Sequence, residues 1–376
     1  MNKNNNTSTI TYIPHPDYVD QAKGFLQAYD LIYANLPDRP NYPALKPKNE
    51  RICRFCNQSF PATTFRKEAH LIPELLGNKN LYSDFECDNC NKFFDINYEN
   101  DLANFLGISR TLSGVKGKNG VPGFKSPDKN IKAKAAKNLS NETVVVSREN
   151  TDNNAIAMEK ETARLTLRIK RNPFVPLHVY KIILKIALSV LDERTVISEY
   201  ETALNFLMNR LKGKEFKGCL ISGYVLPPTS VFPLHMFLFK KRNPIEQIHT
   251  HVFVLYFNNW ILSLPIPLHK DDISFYNGKL ALPLFPPMFP DVPGIEKIKV
   301  SAFQEDFTST EKVTHLEDII VIEPSPEDLS KVAVFNTDTN EITEGVFNPG
   351  EIIQVVIQQK VGPVNTEELS KFLREQ

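Results

Sequence analysis

The sequence predicts an α+β fold in which a small cysteine-containing unit near the N-terminus precedes a larger mixed α/β domain rich in β-strands. Four of the five cysteines form two CxxC pairs between residues 51 and 108. The segment "PLHVYKIILKIALSVL" has apolar residues at helical spacing and Pro176 near its start. Between residue 218 and about residue 360, short apolar runs alternate with turn residues, which is typical of strands. A chain of 376 residues is long enough for two or three domains.

The first 50 residues are predicted to form a tail, a helix and a linker. Residues 1–12 are polar and are expected to be disordered. Residues 16–36 carry apolar positions at helical spacing, which predicts one amphipathic helix. The Pro-rich stretch "PDRPNYPALKPKNE" predicts a linker that ends at residue 50.

The cysteine unit spans residues 51–108 and is predicted to end in a helix that stops at Gly107. Residues 109–142 are rich in Lys, Gly, Ser and Asn, which predicts an extended basic arm or linker. The remaining residues, 143–376, are assigned to the larger domain. Two of its first segments, "ETVVVSREN" and "ARLTLRIK", are expected to be strands of a hairpin or meander.

Further elements of the larger domain follow from pattern and length. Helices are predicted over 176–191, 195–212 and 366–374. Strands are predicted for "CLISGYVL", "VFPLHMFLF", "THVFVLYFNNWILSLPI", "IIVIEP" and "EIIQVVIQ".

Apolar content and charge limit the surroundings and partners. There is no run of 18 apolar residues, and "MNKNNNTSTITY" lacks the apolar core of a secretory signal, so a cytoplasmic protein without a membrane partner is expected.

The formal net charge is zero, but residues 110–137 hold eight Lys/Arg against one acidic residue. Residues 301–376 hold fifteen Asp/Glu against five Lys/Arg. A polyanionic partner is therefore expected for the basic segment and not for the acidic end.

The two CxxC pairs predict a structural zinc site. Cys53 and Cys56 are separated from Cys87 and Cys90 by thirty residues. Two such turns can place four thiolates at the corners of a tetrahedron, the geometry of structural zinc, and reducing surroundings favour metal binding over disulfides. The alternative is four unrelated buried cysteines. Cys219 stands apart and is expected to be an ordinary core residue.

Three short motifs lie in and around this cysteine unit: "AHLIP", "NKNLYSD" and "CDNCN". With them, about 60 residues resemble the HNH, or His-Me finger, endonucleases. The resemblance implies a ββα-metal finger that hydrolyses phosphodiester bonds with the help of Mg²⁺ or Mn²⁺. It implies nothing about the rest of the chain.

The resemblance implies roles for individual residues. His70 would be the general base, because an imidazole can take a proton from water near pH 7. Asn91, directly after the second CxxC pair, would be an oxygen ligand of the catalytic metal and would converge with His70 on one ion. Asp84 or Asn80 would occupy the middle position that holds the hairpin and orients the base.

One position departs from the family pattern. The residue before the catalytic His is often Asp, Glu or His, but here it is Ala69. Asp95, one helical turn after Asn91, is the first candidate for the missing metal ligand. Glu68, on the same strand face as His70, is the second.

Other polar residues are weaker candidates. Arg110, Lys116, Lys118 and Lys125 are expected to contact nucleic-acid phosphates, the alternative being a solvated linker. His249 and His251 have the spacing of half a metal site on a strand, but polar residues on a strand surface are the preferred interpretation.

Together these features favour a metal-dependent HNH endonuclease that cuts double-stranded DNA. The resemblance to the family, and no residue of the chain, implies a role in restriction or anti-phage defence. The C-terminal domain would then sense a target, regulate cutting, or bind a partner protein or a second copy of the chain. The alternatives are a non-catalytic, zinc-stabilised nucleic-acid-binding module, which Ala69 favours, and a toxin-like effector that a partner keeps silent.

Overall fold

A computed structural model provides the architecture. It describes residues 11–35, 45–135, 143–148, 155–159, 164–211, 216–226, 232–273, 284–291, 298–322, 333–336, 341–344 and 354–358. The predicted disordered tail lies mostly outside these residues, and the predicted helix 366–374 lies wholly outside them. Within the described part of the chain, no helix is both long and apolar enough to cross a membrane.

The chain forms two compact units, each built from separate segments. The first unit contains residues 1–71, 83–90 and 183–308, and the second contains residues 72–82, 91–182 and 309–376. The predicted domain boundaries at residues 50, 108 and 142 stay predictions.

The helices of the described residues are mostly short. In chain order they are α1 (Val19–Ala28), α2 (Asp88–Phe94), α3 (Asn100–Leu106), α4 (Ser109–Leu112), α5 (Pro176–Val190), α6 (Glu193–Glu199) and α7 (Glu201–Leu207). A π-helical turn, Asp95–Glu99, joins α2 to α3, and Gly107 ends α3 with a φ of 53°. The predicted helix that stops at Gly107 and the predicted helix over 176–191 are thereby confirmed.

Strands make up most of the rest. They are β1 (Tyr12–Pro14), β2 (Tyr29–Asn35), β3 (Ala69–His70), β4 (Tyr82–Ser83), β5 (Phe124–Lys125), β6 (Ile131–Ala135), β7 (Thr143–Arg148), β8 (Ile156–Met158), β9 (Leu165–Lys170), β10 (Leu220–Val225), β11 (Phe232–Lys241), β12 (His251–Asn258), β13 (Trp260–Pro265), β14 (Met288–Pro290), β15 (Ser301–Asp306), β16 (Glu317–Ile322), β17 (Ala333–Asn336), β18 (Glu341–Glu344) and β19 (Gln354–Gln358). The mixed α/β character and the β-rich C-terminal half agree with the predicted fold class.

The first unit is built on an antiparallel six-stranded sheet with the order β15-β10-β13-β12-β11-β2. β12 and β13 form its centre, and every residue of both strands is buried. An aromatic cluster packs on this sheet: Phe25 stacks on Tyr29 at 4.9 Å between ring centroids and meets Phe239 and Phe285 edge-on. Buried Cys219, directly before β10, is a core residue as predicted.

The second unit contains smaller antiparallel sheets, with the orders β19-β7-β6-β5, β16-β9-β8 and β17-β18. Its core takes the inward-facing residues of β6, β7 and β9, which are Ile131, Ala133, Val144, Val146, Leu167 and Ile169.

Several predicted elements are wrong in extent or pairing. The predicted helix 16–36 ends at Ala28, and its last third is β2, which pairs with β11. The predicted helix 195–212 is two helices, α6 and α7. The expected hairpin or meander of β7 with β9 does not form, because the two strands lie in different sheets.

The predicted extended arm, residues 109–142, contains regular structure. It begins with α4 and continues into β5 and β6, and β6 pairs with β7. Alternation places Ile131 and Ala133 of β6 in the core, so apolar burial overrides the loop-like composition of the segment.

His249 and His251 are also placed differently from the preferred interpretation. Both are buried and neither lies on a strand surface. His251 is the first residue of β12, a central strand of the six-stranded sheet, which explains its burial.

Candidate metal centre and active site

The first CxxC pair lies on a tight turn that is held by hydrogen bonds between its own backbone groups. The amide of Cys53 donates to the carbonyl of Gln58 at 2.8 Å, and the amide of Asn57 donates to the carbonyl of Cys53 at 2.7 Å. Asn57 has a φ of 55°, a left-handed conformation that asparagine tolerates better than most residues. The turn therefore presents both thiols to the same side.

The second CxxC pair lies at the start of α2. Between its cysteines, the Asp88 carboxylate accepts hydrogen bonds from the Thr64 hydroxyl and from the amides of Arg66 and Lys67. Although partial burial acts to raise the pKa of Asp88, these three donors lower it below its ordinary value. The carboxylate thus fixes the chain that enters β3 to the beginning of α2.

The four thiols meet at one point. Among the described residues, Cys53, Cys56, Cys87 and Cys90 form a group whose sulfur atoms all lie within 4.8 Å of one another. Cys56 Sγ and Cys87 Sγ are 3.7 Å apart. Two sulfurs bound at about 2.3 Å to one tetrahedral zinc lie about 3.8 Å apart, so the group fits such an ion. The predicted four-cysteine metal site is confirmed as a geometry, and zinc remains the ion expected for it.

The clustered thiols shift one another's pKa in opposite directions. Hydrogen bonds from the Cys53 and Cys90 thiols lower the pKa of Cys87 well below its usual range, whereas contacts among the same thiols raise the pKa of Cys53 and of Cys90. The thiolate is the form that binds metal. Three of the four cysteines are buried, which keeps water from competing for the site.

His70 is the last residue of β3, which forms a two-stranded sheet with β4. Its side chain is half-buried, while the preceding Ala69 is buried and Glu68 is exposed. The carbonyl oxygen of His70 accepts a hydrogen bond of 3.0 Å from the Lys185 ammonium. His70 is therefore held by its backbone while its ring keeps some access to solvent.

Asn91 follows Cys90 within α2 and is half-buried, whereas Asp95 begins the π-helical turn and is exposed. Both side chains offer oxygen atoms, the donors that Mg²⁺ and Mn²⁺ prefer. His70 belongs to the first unit and Asn91 to the second, so their predicted convergence on one ion stays a prediction.

Asn78 organises the loop between β3 and β4 and was missed by the sequence reasoning. Its buried side-chain amide donates to the carbonyls of Ile72 at 2.8 Å and Leu81 at 2.9 Å. Its side-chain oxygen accepts from the amides of Asn80 and Leu81. The signal was "GN", a glycine followed by an asparagine between two apolar runs, which is typical of a turn held by a side-chain amide.

Asp84 and Asn80 stay predictions for the position that holds the hairpin and orients the base. Asp84 is half-buried and accepts a hydrogen bond of 3.0 Å from the backbone amide of Lys46. Asn80 is exposed, and its backbone amide binds the side chain of Asn78.

The predicted phosphate-binding residues divide into two kinds. Lys116, Lys118 and Lys125 are exposed. Arg110 is half-buried, and its Nε donates to the carbonyl of Leu75 at 3.2 Å. Burial lowers the pKa of Arg110. The three lysines remain available to an anion, whereas Arg110 already supports the neighbouring loop.

Comparison with known proteins finds one family model that matches the segment carrying these residues. Residues 53–105 match the model of the HNH endonuclease family. The match contains all four cysteines, which are positioned to hold a metal, together with His70, Asn91 and Asp95. The predicted resemblance to the HNH endonucleases is thereby confirmed for this segment. No curated protein and no solved structure matches the chain.

Proposed function

We propose that the chain is a metal-dependent endonuclease that hydrolyses phosphodiester bonds of double-stranded DNA. The observation that carries the proposal is the position of His70 and Asn91 within a segment that matches the HNH endonuclease family and contains a four-cysteine cluster. Restriction or anti-phage defence in the cytoplasm is the biological setting that such an enzyme fits best.

The roles follow from the chemistry of each side chain. His70 accepts the proton of the attacking water, and the bond from Lys185 to its carbonyl holds the backbone from which the ring projects. Asn78 keeps the loop that follows β3 in one conformation. The four cysteines would hold zinc, which would fix the turn before β3 to the start of α2.

A second, catalytic ion would be held by Asn91 and Asp95, whose oxygen atoms suit Mg²⁺ or Mn²⁺. When bound, such an ion would stabilise the negative charge that develops on the scissile phosphate and the leaving oxygen. Asp95 is exposed and one turn beyond Asn91, which suits an ion that keeps several of its waters. Ala69 contributes no ligand, so Asp95 is the proposed replacement.

The decisive experiment compares supercoiled-plasmid cleavage by the wild-type chain and by His70→Ala, with Mg²⁺ and with Mn²⁺. Removal of a general base is expected to lower the rate by about 10²- to 10⁴-fold. His315→Ala is the matched control, because His315 is exposed and lies outside the matched segment. Cleavage that survives His70→Ala would contradict the proposed base.

The basic segment is tested by the salt dependence of DNA binding. Lys116→Ala/Lys118→Ala is expected to weaken duplex binding and to reduce the slope of log K against log salt by about 1.8, since each lost phosphate contact contributes about 0.9. The control replaces two exposed lysines elsewhere, Lys23 and Lys312, by Ala. An unchanged salt slope in Lys116→Ala/Lys118→Ala would show that the basic segment is a linker and not a DNA-binding surface.

The alternative functions give different outcomes in the same assays. A non-catalytic nucleic-acid-binding module shows the salt-dependent binding without cleavage in either metal. A partner-silenced effector harms the cells that express it, and His70→Ala relieves the harm.

A further inference from the structure

We propose that Lys185 is a positioning residue for the candidate active site, an inference that rests on the proposed nuclease function. From α5, far along the chain from the HNH segment, its ammonium bonds the backbone at His70 and the carboxylate next to Cys87. It would thereby set the orientation of the general base relative to the metal-binding turn.

Lys185 is an unusual residue for its position. It lies among the fully buried apolar residues Leu184, Ile186, Ala187 and Leu188, and its own side chain is 2% exposed. Burying an ammonium is costly unless the charge is paired and hydrogen-bonded. An apolar residue would suit this helix better unless the charge has a specific task.

The partners of the ammonium indicate that task. Lys185 Nζ lies 2.8 Å from Glu86 Oε2, whose side chain is 1% exposed. It also donates to the carbonyl of His70 at 3.0 Å and lies 3.4 Å from the carbonyl of Leu71. The ammonium thus donates to two backbone carbonyls and forms an ion pair with a buried carboxylate.

The two partner segments are the parts of the domain whose relative position matters for the reaction. His70 carries the proposed base, and Glu86 directly precedes the candidate metal ligand Cys87. Lys185, Glu86, His70 and Cys87 all belong to the first compact unit. One buried charge therefore holds the backbone of the base and the backbone of the metal-binding turn at a fixed separation.

The chain offers a matched control for a buried lysine. Lys241 is 5% exposed, pairs with fully buried Asp272 at 3.3 Å, and contacts the carbonyls of Glu246 and Ile248. It belongs to the same unit but contacts no residue of the HNH segment among its described bonds. Its replacement reports the effect of losing a buried ion pair without touching His70.

The test compares Lys185→Met/Glu86→Leu, which removes both charges together, with Lys241→Met. Zinc content, thermal melting, kcat and KM on plasmid DNA, and the imidazole NMR signal of His70, identified by its loss in His70→Ala, are measured for each. For the double variant we expect bound zinc, a kcat lowered at least tenfold, KM within twofold of wild type, and a broadened or split His70 signal. For Lys241→Met we expect a lower melting temperature with kcat and the His70 signal unchanged.

A double variant with wild-type kcat and an unchanged His70 signal would overturn the proposal. Should that variant fail to fold, two single variants decide. Glu86→Gln keeps an oxygen that can accept from the ammonium, so kcat is expected to be retained, whereas Lys185→Met removes the contacts to both segments and is expected to lower kcat at least tenfold. Equal kcat in these two variants would overturn the proposal. If the wild-type chain cuts no DNA in any metal, the nuclease function fails, while the His70 signal still tests whether Lys185 positions the ring.

Discussion

At the scale of single residues, the first unit holds a buried group of polar side chains around the start of β12. The Tyr200 hydroxyl and His251 Nδ1 are 2.8 Å apart, and the amide of Thr250 donates to Asp272 at 2.8 Å. Burial, and to a lesser extent nearby charges including His269 and Lys240, lowers the pKa of His251 to about 4. Burial likewise lowers the pKa of His249 to about 4. Both imidazoles are neutral in the folded protein at pH 7.

These histidines predict a loss of stability in mild acid. In the unfolded chain each takes up a proton near pH 6.5, whereas the folded chain resists until about pH 4. The unfolded state therefore binds more protons between these values, and stability falls as the pH is lowered through that window, by on the order of 3 kcal/mol for each histidine. Urea unfolding at pH 7 and pH 5 measures the part of this loss that falls above pH 5, which is on the order of 2 kcal/mol for each histidine.

The variant Tyr200→Phe/His251→Leu removes one imidazole together with the hydroxyl that faces it. We expect the difference in unfolding free energy between pH 7 and pH 5 to shrink by roughly half of the histidine contribution. His315→Ala is the control, because His315 is exposed. An unchanged difference in the double variant would exclude His251 as a source of the acid sensitivity.

Sequence reasoning worked at this scale where spacing alone determines geometry. Each CxxC turn places its own two sulfurs side by side, so two such turns are typical of one four-sulfur metal site. The structure confirms that the four sulfurs cluster. The Lys185–Glu86 pair joins residues far apart in the sequence, so no local sequence pattern predicts it. Asn78 was also not predicted, because the burial of its side-chain amide becomes visible only once the loop around it is folded.

At the scale of elements, β2 shows how a distant partner overrides local pattern. Residues 29–35 continue the apolar spacing of α1, which is why a single helix was predicted. Tyr29 is instead the Cα partner of Lys241 in the pairing of β2 with β11, so the hydrogen-bonding edge of a sheet more than 200 residues away decides the conformation. By contrast, α5 was predictable because its apolar pattern is long and its start is marked by Pro176.

Two glycines of the first unit give opposite predictions for the same substitution. A Cβ at Gly223 in β10 would lie 1.9 Å from the backbone oxygen of Ile261 on the neighbouring strand β13, whereas a Cβ at Gly24 in α1 meets nothing within 4 Å. Gly223→Ala is expected to lower the free energy of unfolding by about 3 kcal/mol or to prevent folding. Gly24→Ala is expected to raise it by roughly 0.5–1 kcal/mol, since alanine is the better helix residue.

Urea denaturation of both variants measures these changes. A Gly223→Ala variant as stable as wild type would mean that β10 and β13 do not approach as closely as described. Equal destabilisation by Gly24→Ala would contradict the open surroundings of Gly24.

At the scale of the whole molecule, neither compact unit is one continuous stretch of sequence. The first unit combines parts of the HNH segment with residues 183–308, and the second combines another part with residues 309–376. Sequence composition suggested boundaries that follow one another along the chain, because composition changes are visible only locally. Contacts between distant segments, such as Arg171 with Asp318 at 2.6 Å, have no such local signal.

This organisation predicts that the fragment 143–376 will not fold as the full chain does. Cutting before residue 143 removes β6, which pairs with β7 along five residues, and exposes Val144 and Val146. We expect the fragment to lack a cooperative thermal transition and to bind a hydrophobic dye. A sharp melt, with native-like dispersion of amide NMR signals, would instead establish it as an independent domain.

The long-range support of the first CxxC turn has a consequence for synthesis. Arg54, between Cys53 and Cys56, stacks over the Phe85 ring at 3.7 Å and donates to the carbonyls of Leu188, Ser189 and Leu191, up to 137 residues later. A ribosome delivers the cysteines well before these carbonyls. The four cysteines can therefore come together early in synthesis, whereas the turn gains the Arg54 hydrogen bonds only after translation has passed α5.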